Sequence, residues 1–88
     1  MNDIILKVAK SSFPKKVAAA IVKDLNKTGV SHISAVGPLA VNQAVKAIAI
    51  ARGMMSAYGK DVVCFPTFED FSTDTLKTTA LNFTVTVQ

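Results

Sequence analysis

The stretch NQAVKAIAIARG, residues 42–53, reads as a helix whose apolar side chains cover most of its circumference. On a wheel of about 100° per residue, Val41, Ala44, Val45, Ile48 and Met55 make one stripe, expected to face a sheet. Ala47, Ile50 and Met54 make a second apolar patch on another side. Asn42, Lys46 and Gly53 occupy the narrow strip left over, and Gln43 borders the second patch. Arg52 is placed to reach outward at the helix end, where a cation suits the negative pole of the helix dipole. Such a helix needs two coverings, and a chain of 88 residues has little interior in which to hide it. A sheet is one covering. A second helix is the other, with a symmetry-related copy of the chain taking the remainder. Alanines at 40, 44, 47, 49 and 51 permit that close approach.

Outward from this helix, the chain supplies the sheet and the partner helix. Ile4 to Ala9 is β-rich and reads as a first strand. Ser11 and Ser12 suit a helix start, Pro14 suits its first helical position, and Phe13 suits a hydrophobic staple. The helix then runs to Gly29, a good C-terminal stop. Val17, Ile21 and Leu25 form its buried stripe, with Lys16, Lys23 and Lys27 on or near the other side. SHISAVG, residues 31–37, is the second strand: Ile33 and Ala35 point one way, His32, Ser34 and Val36 the other. The long helix follows, from near Leu39 to around Met55. KDVVCF, residues 60–65, is the third strand, and TTALNFTVTV, residues 78–87, the fourth. In the fourth, Leu81, Phe83, Val85 and Val87 alternate with Asn82, Thr84 and Thr86, so one sheet face is wet or meets a polar partner. The order is β-α-β-α-β-β. Right-handed crossovers place both helices on one face of one sheet. The expectation is one α/β domain of the two-layer α+β kind over residues 1–88, with an acidic loop near Asp70 to Asp74 joining the last two strands antiparallel.

The net charge of +4 is unevenly spread. Residues 1–60 hold nine of the ten basic residues against Asp3 and Asp24, and residues 61–88 hold Lys77 against Asp61, Glu69, Asp70 and Asp74. A basic first part of the chain suits a partner rich in phosphate. Half the residues are hydrophobic, which favours extra burial in a homo-oligomer, a dimer or a tetramer. No apolar run is long enough for a bilayer, so no membrane association is expected. The start of the chain lacks the pattern of a signal peptide, and Cys64 stands alone, so a cytoplasmic protein is expected.

Little in the sequence suggests catalysis. Cys64 and His32 sit in different strands, and Cys64 between apolar neighbours reads as a buried, inert thiol. One histidine and one cysteine make no metal site, and Glu69, Asp70 and Asp74 read as a solvated loop. There is no phosphate-binding glycine loop and no dinucleotide fingerprint. The expectation is therefore no enzyme, no cofactor and no metal. Phe65, Phe68 and Phe71 recur at three-residue intervals without indicating a stacking platform, although Phe13 or Tyr58 could stack on a base locally. At the long helix, free N–H groups of the first turn attract anions; Lys46 adds a point charge, and Asn42 or Gln43 can hydrogen-bond a phosphate, sugar or base edge.

NQAVKAIAIARG closely resembles the hallmark helix of the stage V sporulation protein S family of bacteria. ILKVAKSS before a proline, VAAAI in the first helix and VVCFPTF in the third strand match in the same order. That family is similar in fold to the Alba chromatin proteins and to the C-terminal domain of translation initiation factor 3. The resemblance implies an Alba-like, mixed four-stranded sheet in the order 1-2-4-3. It also implies a dimer that binds DNA or RNA, and a part in regulating late sporulation. Carried over by position, the contact residues are Lys10, Ser11, Ser12, Lys15 and Lys16 between the first strand and first helix, and Asn42, Gln43 and Lys46 on the second. The basic arm of Alba-like proteins does not carry over, because Glu69, Asp70 and Asp74 stand there. Phe13 and the pair Lys15-Lys16 depart from the family pattern, as do Pro38-Leu39, which stiffen the turn before the long helix. The expected function is phosphate-backbone binding with weak sequence preference. The alternative is a protein-interaction or assembly module in sporulation or development that binds no nucleic acid.

Overall fold

Alternating apolar residues make short strands here, and the runs between them make helices. A computed structural model describes residues 4–69, 72–73, 76–77 and 80–88, the two short pairs by their backbone alone. Strand β1 (Ile5–Val8) leads to helix α1 (Pro14–Thr28), strand β2 (Val30–Val36), helix α2 (Pro38–Ser56) and strand β3 (Val62–Glu69). Two short strands, β4 (Ser72–Thr73) and β5 (Leu76–Lys77), pair with each other, and β6 (Ala80–Val87) completes the main sheet. The main sheet runs β1-β2-β6-β3, parallel between β1 and β2 and antiparallel on both sides of β6. Counting its four strands in chain order, this is the 1-2-4-3 order of a mixed sheet, in agreement with an Alba-like topology. The readings at Asp3, Asp70, Phe71 and Asp74 lie outside the described residues.

Helices α1 and α2 pack on each other and on one sheet face, where Val8, Ile33, Ala35, Phe83 and Val85 meet Ala18, Ile21, Leu25 and the inner side of α2. Gly29 ends α1 with a left-handed φ of 82°, and its N–H closes on the Leu25 carbonyl at 2.9 Å. Gly37 turns β2 into α2 with a φ of 88°, which a side chain would strain. Ser31, buried at the start of β2, donates from its hydroxyl to the Asp24 carboxylate of α1 at 2.8 Å.

Three local expectations are corrected. The inner side of α2 is Ala40, Ala44, Ala47, Ile48, Ala51 and Met55, while Val45 is half exposed. The helix is buried on two sides at once, against the sheet and against α1. The centre of its covered arc therefore falls on the small residues that let α1 approach, not on the largest ones. Strand β3 continues past Phe65 through Pro66 to Glu69. Proline lacks a ladder N–H, and an edge strand tolerates it. Cys64 is exposed, not buried. It lies opposite the fully buried Val85, but β3 is the sheet's edge, where the helices leave it uncovered.

Candidate nucleic-acid interface

The cationic residues singled out from the sequence converge on the end of the molecule where β1 runs into α1. Strand alternation directs Val8 into the core and leaves Lys7 on the other face, in register with Ser34. The chain then turns tightly. The Ser12 N–H donates to the Ala9 carbonyl at 3.0 Å, and the Ser12 hydroxyl accepts from the Ala9 N–H at 2.9 Å. The Ser12 carbonyl accepts from Nε2 of Gln43 on α2 at 2.9 Å. Ser12 therefore closes the turn behind it and does not cap α1, and Gln43 pins that turn to the long helix.

Phe13 takes the N-cap position of α1, with φ −86° and ψ 118° and no side-chain cap. Its carbonyl accepts from the N–H groups of Lys16 and Val17 at 3.0 and 3.1 Å. Its ring is 67% exposed, so it is not the expected staple. The ammonium of Lys16 sits 5.5 Å from the ring centroid, within cation–π range.

Two grooves flank this ring. One, of about 540 Å³, lies between the start of α1 and the outer side of α2 and is lined by Phe13, Pro14, Lys15, Lys46, Ala49 and Ile50. The other, of about 370 Å³, lies toward β1, with Lys7, Lys16, Leu6 and Val17 among its walls. Lys15 and Lys46, far apart in sequence, thus share one groove. Lys16 shares the other with Lys7, which sequence reasoning did not single out. Outward alternation on β1, three residues before Lys10, was the available signal.

Lys10 faces a third concavity, of about 590 Å³, at the C-terminal ends of β1 and β2. Lys7, Ser34, Glu69 and the first residues of α2 complete its walls. Glu69 accepts from the Ser34 hydroxyl at 3.2 Å. The start of α2 offers little for an anion: Pro38 has no N–H, the Val41 N–H bonds the Gly37 carbonyl, and Leu39 is exposed beside it. Asn42 lies a full turn inside the helix, exposed and one turn before Lys46. Ser11 is exposed on the turn. Arg52 does reach outward, into an exposed ion pair with Asp61 at 3.2 Å.

Chemically, this end of the molecule is a ring of flexible ammonium groups around one aromatic side chain on a pinned turn. Such a surface attracts a polyanion without fixing its sequence. Among the described residues no cluster of His, Cys, Asp and Glu could hold a metal ion. No helix among them is long and apolar enough to cross a membrane. The fold, the order of its elements and the NQAVKAIAIARG helix agree with one family: the model of the Stage V sporulation protein S (SpoVS) family matches residues 4–88, and the chain belongs to that family.

Proposed function

We propose that this SpoVS-family chain is a non-enzymatic regulator of sporulation that binds the phosphate backbone of DNA or RNA in the bacterial cytoplasm, as a homodimer with weak sequence preference. The observation that carries this reading is the meeting of Lys15 and Lys46 in one groove, with Lys16 and Lys7 across Phe13 and Lys10 beyond. Ser12 and Gln43 hold the turn that presents these lysines, and Asn42 lies exposed on the same helix as Lys46. The lysines act through charge, so each phosphate neutralised releases counterions and affinity falls steeply with salt. About four lysine contacts give a slope of log K against log salt near −3 to −4. The test is a gel shift with DNA and RNA at low salt. The wild type is expected to shift both, and Lys16→Glu with Lys46→Glu to abolish most of the shift. No binding at low salt, or binding indifferent to the double substitution, rejects the reading.

A second reading has its own support. Leu39 and Val45 on α2 and Phe68 on β3 are exposed apolar side chains. If these recruit a different protein and the lysines only keep the chain soluble, the molecule is an assembly module. A stoichiometric protein partner recovered without nucleic acid favours that reading.

A further inference from the structure

Phe13 is the feature that phosphate binding leaves unexplained. An N-cap position favours Ser, Thr, Asp or Asn, whose oxygen satisfies a free N–H of the first turn. Here a large apolar ring stands in that place, α1 goes without a side-chain cap, and the ring is exposed. The local rule is broken at the one point where lysines converge from two helices and a strand. Natural sequences break such rules mostly where function requires it.

Resting on the phosphate-binding reading, we propose that Phe13 is a stacking residue for an unpaired nucleobase, which makes single-stranded nucleic acid the preferred ligand of this surface. The charge pattern selects this occupant over an apolar partner. Among the described residues, no carboxylate lines either groove beside Phe13, and each groove carries two lysines. A ligand seated there must be anionic and must also offer a flat apolar face, and a nucleotide combines the two. The ring is ready in advance, because the turn behind it is closed by Ser12 and tied to α2 by Gln43. Little conformational freedom remains to be lost on binding. Lys16, over one side of the ring, is placed to meet the phosphate of the stacked nucleotide. A base inside a duplex has both faces occupied and cannot use the ring.

Two substitutions test this. The chain contains no tryptophan, so Phe13→Trp gives a lone indole at the site. Titration with an oligothymidylate of about 20 nucleotides should quench its fluorescence in parallel with the rise in anisotropy of the labelled strand. Binding without any change in indole emission overturns the proposal.

Phe13→Ser restores a cap while removing the ring. It should raise the thermal midpoint by about 4–8 °C. It should also weaken binding of the single strand by roughly ten-fold or more, with the salt slope unchanged, since stacking releases no counterions. A lowered midpoint would make Phe13 a structural residue and overturn the idea. So would an equal loss of affinity for blunt duplex. If Lys16→Glu with Lys46→Glu weakens binding but Phe13→Ser does not, stacking fails and the phosphate reading stands. If the lysine pair has no effect either, both fall.

Discussion

Ser31 and Gln43 are the two polar side chains whose work is easiest to miss. Ser31 is buried at the base of β2 and gives its hydroxyl proton to Asp24, tying the last turns of α1 to the sheet. Removing the acceptor leaves a buried donor unsatisfied, at a cost of about 1–3 kcal/mol. Asp24→Ala is expected to destabilise the fold by that amount in urea unfolding, whereas Asp24→Asn, which keeps an acceptor, should cost less. Gln43 borders an apolar patch on the helical wheel and reads from sequence as a ligand contact. In the folded chain its amide is committed to the Ser12 carbonyl. No local pattern reveals that bond, because its partner is a backbone oxygen on a turn outside the helix. Lys15, Lys16 and Lys46 were legible as individual charges. That Lys15 and Lys46 meet at one groove, with Lys16 across Phe13 in another, was not, since it depends on how α1 crosses α2.

At the scale of elements, the two helices are joined through alanines. Ala18 on α1 and Ala44, Ala47 and Ala51 on α2 are all fully buried, which brings the backbones close. Small-to-large replacement here has nowhere to expand. Ala47→Leu is expected to cost about 1–3 kcal/mol or more, read as a lower urea midpoint with an unchanged slope. The arrangement explains what the sequence could and could not tell. Helix bounds were readable within a residue, because Pro14, Gly29 and Gly37-Pro38 punctuate the chain through backbone geometry that is local. Which residues of α2 face inward was less readable, because a wheel weights the large side chains and the second helix selects the small ones. Val45 was therefore expected inside and stands half exposed. Pro66 read as the end of a strand, and it is admitted within β3 only because that strand has a free edge.

At the scale of the whole molecule, apolar surface remains where the helical layer stops short of the sheet's β3 edge. Phe68 is 81% exposed and Val45 50%. Burial against a second copy is the reading adopted above, and it makes a direct prediction. Sedimentation equilibrium should give a dimer for the wild type and a monomer for Val45→Glu with Phe68→Glu, with the far-ultraviolet circular dichroism spectrum preserved. A wild type that sediments as a monomer, or a double variant that still dimerises, would place the interface elsewhere or remove it.

The sheet order also governs when the molecule can form. β6 is the last of its strands in sequence, yet it lies between β2 and β3 and is hydrogen-bonded to both along its length. Until Ala80–Val87 emerge from the ribosome, β1 and β2 have no link to β3, and Ile33 and Val62 lack the strand that carries Phe83 and Val85. The long helix meets α1, β1 and β2 without β6, whereas β3 has no strand to pair with in the main sheet until β6 is present. Joining β3 to the sheet therefore has to follow β6, and until then the apolar side chains of β3 and the sheet face it completes stay open to aggregation.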